Sequence, residues 1–389
     1  MTVHVLGGYQ TDFALRASSL YDLLREASLG ALEAAAVRAQ DVQVAHVGNM
    51  AGELFSGQAQ LGGMIAAMDP AWSMVPASRH EAACASGSMA LMAAMADLEA
   101  GRYDVALVVG VELMRNVGAK EAAGHLGSAA WAGREAVGAA YPWPALFARI
   151  ADEVDARHGL RHEHLARIAE INHANALRNP LAQARSWDFP QGCFGEDDTL
   201  NPVVAGRLRK YDCGRITDGA AALVLASSRF GRPGPVIAGW GHRTAPMLLE
   251  DKLATREAYL FPHLRQAAVD AYTRAGVGVG DLDVIEMHDC FTITEYAALD
   301  HLGLTPPGES WRAIEEGVID FDGPLPVNPS GGLIGLGHPV GATGVRMLND
   351  AYKQVTGTAG ATQVEGARTA LTLNIGGSCT TVATFVLTR

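Results

Sequence analysis

Four short stretches of this 389-residue chain combine reactive side chains with backbone that lets a substrate come close. Cys84 stands in Cys-Ala-Ser-Gly, after an extended stretch and at the opening of an Ala/Met-rich helix. Free amides and the helix dipole at such a terminus lower a thiol pKa and favour the thiolate nucleophile. Ala85, Ser86 and Gly87 are small enough to let a carbonyl reach the sulfur; the competing reading is a small cysteine packed under a helix. His338 lies in Gly-His-Pro, within the run 328–344, which holds six glycines in 17 residues. Such backbone suits close approach or positive φ, and Pro339 suits a first helical position that would hold the imidazole at the turn. His288-Asp-Cys290-Phe follows the apolar run 284–287, at the kind of strand end where a doubly wound sheet presents its working residues. A histidine and a cysteine two apart can serve as an oxyanion donor and an acid/base group, or can stand as polar residues at an ordinary strand exit. A metal site lacks a matching ligand pair there. Asn374-Ile-Gly-Gly-Ser-Cys379 follows another apolar run, and its glycine amides can bind an oxyanion or simply make a tight exit. A nucleophilic cysteine, a histidine, a second cysteine and glycine amides form a set suited to acyl transfer through a thioester.

The elements that must hold this set are legible as apolar runs. Residues 3–6, 42–47, 105–111, 221–226, 235–239, 284–287, 369–374 and 381–387 read as strands, separated by longer Ala-rich helical stretches. That alternation predicts an α/β protein with a mostly parallel sheet. The turn at Cys84 and the turn at His338 echo each other, because each opens a helix with small residues and is followed by a strand. Two similar halves are therefore expected, joined near 227–235. Between about 116 and 200 the character changes. Polar-faced helices at 145–157 and 164–178 flank a break at Gly159, and Asn179-Pro stops the second. This segment reads as an insertion that covers the site, binds a large substrate, or is passive.

Composition narrows the class. Hydrophobic residues make up 49% of the chain, too many for a wholly disordered protein. Thirty basic against 42 acidic residues give a net charge of −12, which argues against a nucleic-acid surface. No apolar run reaches the roughly 18 residues of a membrane span, and the N-terminal residues lack signal-peptide character, so a cytoplasmic protein is expected. Five cysteines with no CxxC pair exclude a zinc ribbon or a disulfide framework. The 44 glycines are an excess that partly concentrates in the runs described above.

Taken in order, Cys84-Ala-Ser-Gly, His288-Asp-Cys-Phe, Gly337-His-Pro and Asn374-Ile-Gly-Gly resemble the motifs of the thiolase family. Asp218-Gly-Ala-Ala-Ala and Asn172-His-Ala-Asn-Ala-Leu-Arg-Asn-Pro extend the resemblance through the insertion, so it covers essentially the whole chain. It implies a thiolase fold: an α/β chain of two related halves, 1–230 and 231–389, in a five-layer αβαβα arrangement, with a CoA-binding loop domain inserted at about 116–200. Two departures matter. Ordinary thiolases have Asn-Glu-Ala-Phe at 288–291 and a second catalytic cysteine where this chain has Asn374. The His-Asp-Cys-Phe form is similar to the sterol-carrier-protein branch and its bacterial relatives, in which the cysteine of that motif is expected to take over acid/base work. Cys379, five residues past Asn374, has no assigned role.

The resemblance implies that His338 activates Cys84 and that Cys84 becomes acylated. The amides of Cys84 and Gly376 would hold the tetrahedral oxyanion. Cys290 would move a proton at C2 of the second acyl-CoA, with His288 and His338 on its thioester oxygen. CoA is then a substrate and product, with no resident cofactor and no metal. A homodimer or homotetramer is expected. Two other readings stand beside this one: a thiolase-fold acyltransferase with a non-CoA acceptor and accessory subunits, and a non-catalytic scaffold subunit. Relatives that act as retro-aldolases with a small partner lack the nucleophilic cysteine, so Cys84 counts against that version.

Overall fold

The computed structural model describes residues 2–389. Eleven strands are present among them: β1 (Val3–Gln10), β2 (Val44–Gly48), β3 (Ala77–His80), β4 (Val105–Glu112), β5 (Val203–Ala205), β6 (Leu208–Arg209), β7 (Gly219–Ser227), β8 (Val236–Thr244), β9 (Val284–Met287), β10 (Thr369–Gly376) and β11 (Thr381–Thr388). β5 and β6 form a small hairpin, and the other nine form one sheet in the order β3-β2-β4-β7-β1-β8-β11-β10-β9.

The order is a duplication. β2 and β4 are parallel, and β7 and then β1 add antiparallel. β9 and β10 are likewise parallel, with β11 and then β8 antiparallel. Even β3, parallel to β2, has a counterpart in the parallel bridge of Val327 to Ile285. The halves meet at the His4–Val236 bridge, with Val5 N–H donating to the Pro235 carbonyl at 2.9 Å. A mostly parallel sheet is not what forms. Parallel pairing needs a long crossover. β10 and β11 are joined by a tight turn instead, and β7 enters only after the long 113–218 segment, so five of the eight pairings are antiparallel.

Successive residues of each central strand enter different cores, which is why these strands read as continuous apolar runs. Leu107, Val109, Ala222 and Val224 pack under the outer helix Leu20–Ala35, against Leu24, Ala27 and Ala31. Their neighbours Ala106, Val108, Ala221 and Leu223 face two central helices, Ser86–Glu99 and Thr343–Thr356, through Leu91, Leu98, Val345 and Leu348. Ala370, Phe385 and Leu387 of the second half close that core from the other side. Leu371, Leu373 and Val386 face outward onto helices Pro262–Ala275 and Thr292–Leu302. Helix, the first half of the sheet, paired helices, the second half of the sheet and helix are the five layers. The insertion carries helices Pro142–His158 and His162–Arg178, which cover the second outer layer and leave Thr292–Leu302 buried along its whole length. No described helix is long and apolar enough to cross a membrane.

Candidate active site

The chain leaves β3 through a turn held by its own side chains. Ala83 adopts φ 52°, a left-handed conformation that costs a non-glycine residue free energy. Its N–H donates to Glu81 Oε1 at 2.6 Å, and Ser86 Oγ donates to its carbonyl at 2.6 Å while accepting from Ala82 N–H at 2.9 Å. This puts Cys84 just before the central helix Ser86–Glu99. The second turn enters from the other half. His338 N–H donates to Thr217 Oγ1 at 3.0 Å. Pro339 does not begin the helix as expected; residues 339–342 make a further turn, and the helix starts at Thr343.

Cys84 Sγ and one ring nitrogen each of His288 and His338 lie within 4.8 Å of one another. The two imidazoles stand edge to face, with centroids 5.3 Å apart. His338 Nδ1 is 2.7 Å from Thr343 Oγ1, and that hydroxyl gives its own proton to the Pro339 carbonyl at 3.1 Å. With the hydroxyl proton on that carbonyl, Thr343 accepts from the ring, an arrangement that puts the ring proton on Nδ1 and leaves the Nε2 lone pair free. That Nε2 is buried without a partner. Burial, reinforced by the Arg346 charge, holds His338 down to about 3, a neutral base at any ordinary pH.

The expectation of a thiolate at rest is overturned. Burial pushes the Cys84 thiol up to about 12, against the opposing hydrogen bond from the Gly377 amide, and the Glu112 charge adds to the rise. Removal from water outweighs the helix terminus here. Cys290 is buried beside it, its thiol driven well above the usual range by burial and then by Cys84; Thr294 Oγ1 lies 3.8 Å from its sulfur. Gly376 ends β10 opposite Thr381. A Cβ there would lie 2.2 Å from the Ala82 carbonyl, so only glycine lets this strand end lie against the nucleophile turn. The amide directed at the sulfur is that of the next residue, Gly377. Cys379 lies in the same turn, its carbonyl accepting from His263 at 2.7 Å, and is not part of the cavity wall. Among the described residues, Cys84, His288 and His338 are also the one His/Cys/Asp/Glu group close enough to hold a metal ion, in a ligand set that suits zinc.

Several groups to which the motifs assign no role hold the site in place. Glu112 at the end of β4 accepts from Asn49 Nδ2, Met50 N–H, Ala51 N–H and Gly341 N–H at 2.9–3.1 Å, tying the loops behind both Cys84 and His338. Asp289 accepts from Leu333 N–H at 2.5 Å and Asn172 Nδ2 at 2.9 Å. Asn172, Asn175 and Asn179 recur at helical spacing, and the latter two donate to the carbonyls of Asn328 and Ser330. The insertion is thus bonded to the loops that carry His288 and His338 rather than passive. The Asn-x-x-Asn-x-x-x-Asn spacing was a readable signal for that contact, whereas a single glutamate at a strand end gave none.

Above these groups lies a cavity of about 400 Å³, with Cys84, Cys290 and His338 on its wall. Leu126, Trp143, Phe147 and Phe291 make it apolar, the two phenylalanines stacking at 4.4 Å. Cys213, a half-buried thiol, lines it too. It shares Lys210, Arg215 and Ile216 with a more open cavity of about 670 Å³, where Arg16 and Arg115 join them and Asp188 is the single carboxylate. A cationic mouth on a chain of net charge −12 concentrates a polyanionic substrate.

Known proteins share both sequence and fold with this chain. Residues 3–229 match the family model "Thiolase, N-terminal domain", and residues 248–389 match "Thiolase C-terminal domain-like". The chain is 37% identical over 394 residues to an acetyl-CoA acetyltransferase of Methanothermobacter thermautotrophicus, covering 100% of this chain and 99% of that one. It is 30% identical to sterol carrier protein 2 of Gallus gallus, over 96% of this chain and 69% of that protein. Among solved structures, an Ltp2-ChsH2(DUF35) aldolase superposes with a TM-score of 0.80 at 20% identity, over 100% of this chain and 98% of that one, a likeness of fold.

Proposed function

The chain belongs to the thiolase family, and on that premise we propose that it transfers acyl groups between CoA thioesters through an acyl-Cys84 intermediate. The observation that carries this reading is the Cys84–His288–His338 cluster, with Cys290 beside it, beneath an apolar cavity that Cys84, Cys290 and His338 line and that opens at a cationic mouth. In the thiolytic direction, His338 Nε2 takes the Cys84 proton as the sulfur adds to C3 of a 3-ketoacyl-CoA. The amides of Cys84 and of the Gly376–Gly377 turn face the resulting oxyanion. As it collapses, the C2–C3 bond breaks and its electron pair passes into the enolate of acetyl-CoA, whose oxygen His288 and protonated His338 hold. Cys290 gives its proton to C2 and becomes a thiolate. Incoming CoA returns that proton to Cys290 and its sulfur attacks the acyl group, and Cys84 leaves and recovers its proton from His338. The reverse sequence is the Claisen condensation. A Cys290 thiol raised well above the usual range is fully loaded as an acid at neutral pH and, once deprotonated, is a strong base.

Full-length likeness to an acetyl-CoA acetyltransferase and the retained Cys84 favour this reading over a non-CoA acceptor or a silent scaffold. CoA is substrate and product within the proposal. A place in fatty-acyl metabolism and a cytoplasmic location are proposed with it. A homo-oligomer is proposed with it, since β3 leaves one sheet edge unpaired and Met74 beside it is 91% exposed; its solution mass tests that.

Purified protein given acetoacetyl-CoA and CoA should consume the ketoacyl thioester; no turnover would sink the reading. Thr343→Val, nearly isosteric, frees the His338 tautomer and is expected to lower kcat roughly 10- to 100-fold with KM little changed. Arg115→Ala and Arg215→Ala should act oppositely. Each removes a phosphate-facing cation, raising KM for CoA about tenfold with kcat little changed, more at low than at high salt.

A further inference from the structure

Asn374 occupies the position at which the second catalytic cysteine of ordinary thiolases is expected, and its hydrogen bonds give it a different task. Ser88, in the first turn of helix Ser86–Glu99, donates its hydroxyl proton to Asn374 Oδ1 at 2.8 Å. With the oxygen so engaged, Nδ2 of the amide faces His288 Nδ1 at 3.1 Å. An amide NH₂ only donates. In this orientation of the amide, His288 Nδ1 carries its lone pair and the ring proton lies on Nε2. Ser88, Asn374 and His288 are each 1% exposed, so water does not compete for these groups. The site is closed over them as well: a Cβ on Gly344 would lie 2.3 Å from Ser88 Oγ and 2.7 Å from Asn374 Oδ1.

At His338 the assignment is reversed. Thr343 accepts from Nδ1–H, and Nε2 is bare and unpartnered. The two imidazoles, edge to face at 5.3 Å, thus present opposite tautomers. One offers a lone pair and the other a proton. The hydrogen-bond partners of the two rings thus decide which ring does which.

We propose that Asn374 is a positioning residue that, held by Ser88, fixes His288 as the Nε2–H donor to a substrate thioester oxygen, leaving His338 as the base for Cys84. The proposal rests on the acyl-transfer reading and divides it. Acylation of Cys84 uses His338, the backbone amides and the Cys290 proton, which goes to the departing CoA sulfur, and does not use the His288 proton. Enolisation of the second thioester, in which a C2 proton passes to the Cys290 thiolate and the electron pair moves onto the thioester oxygen, uses the His288 proton.

The two half-reactions can be read separately. Acetylation of Cys84 by acetyl-CoA is followed by peptide mass, and enolisation by wash-out of deuterium from the methyl group of acetyl-CoA. Asn374→Asp keeps the shape but only accepts, which draws the ring proton to Nδ1. It is expected to slow wash-out about 10²-fold, the scale of one lost oxyanion donor, with Cys84 acetylation slowed no more than a few-fold. Ser88→Ala, which releases the amide to rotate, should shift the two rates in the same direction and less. Equal loss of both half-reactions, or no loss of either, overturns the proposal. The tautomer itself is read in the unmodified protein from ring ¹⁵N shifts, assigned with His288→Gln. A protonated Nδ1 overturns the proposal whether or not the variants fold. If the unmodified protein neither acetylates Cys84 nor exchanges deuterium, the acyl-transfer reading has failed instead.

Discussion

Cys84→Ala is expected to abolish thiolysis of acetoacetyl-CoA, a loss of roughly 10⁴-fold or more, because no other group near the oxyanion amides can form the thioester intermediate. Cys290 is next in line, but its sulfur is the proton carrier and removes itself from that role if acylated. The substitution deletes one half-buried sulfur, so stability should change little. The resting state of this thiol is also testable. A thiol pushed up to about 12, beside a histidine held down to about 3, is not an ion pair at neutral pH. Below 12 the thiolate fraction rises tenfold with each pH unit. Iodoacetamide should therefore modify Cys84 slowly at pH 7, and the rate should climb steadily past pH 9 with no plateau between 5 and 8. A plateau in that acid range would mean a preformed thiolate–imidazolium pair and would contradict the general-base role given to His338.

The second large effect is expected at Cys290. Cys290→Ala removes the group that delivers a proton to C2, and thiolysis should fall about 10²- to 10⁴-fold, the range of a lost general acid. Acetylation of Cys84 by acetyl-CoA, in which Cys290 gives its proton only to the departing CoA sulfur, should slow far less, because a thiolate can leave unprotonated. Wash-out of deuterium from the acetyl methyl group should disappear with turnover. Cys290→Ser tests the same point more gently, since a buried hydroxyl is a far weaker acid. Full thiolysis in Cys290→Ala would assign the proton to another group, of which Cys213, on the same cavity wall, is the nearest in kind.

Much of the fold was readable because of where the strands lie. β4 and β7 are buried on both faces, so 105–111 and 221–226 stand out as unbroken apolar runs. β3 was missed for the opposite reason. Ala-Ser-Arg-His sits at the sheet edge, half-buried, and carries no apolar period. Strand direction was misjudged because a run of valines does not say whether the chain returns by a helix or by a turn such as 377–380. In the site, glycines and reactive side chains marked all four loops. The groups that assign their roles were harder to see. Ser88 and Asn374 are 286 residues apart, and Thr343 becomes informative only when its hydroxyl proton is traced to Pro339. The thiol pKa was misread because helix geometry is local, whereas burial is a property of the whole fold.

Turnover depends on a covalent acyl-Cys84 that CoA discharges. Acetoacetyl-CoA is added without free CoA, the reaction is quenched, and the peptide bearing Cys84 is weighed before and after a CoA chase. One acetyl group on Cys84, lost to CoA as acetyl-CoA within the time of a turnover, is the predicted result. An unmodified Cys84, an acetyl group on any other residue, or an adduct that CoA does not remove would contradict it.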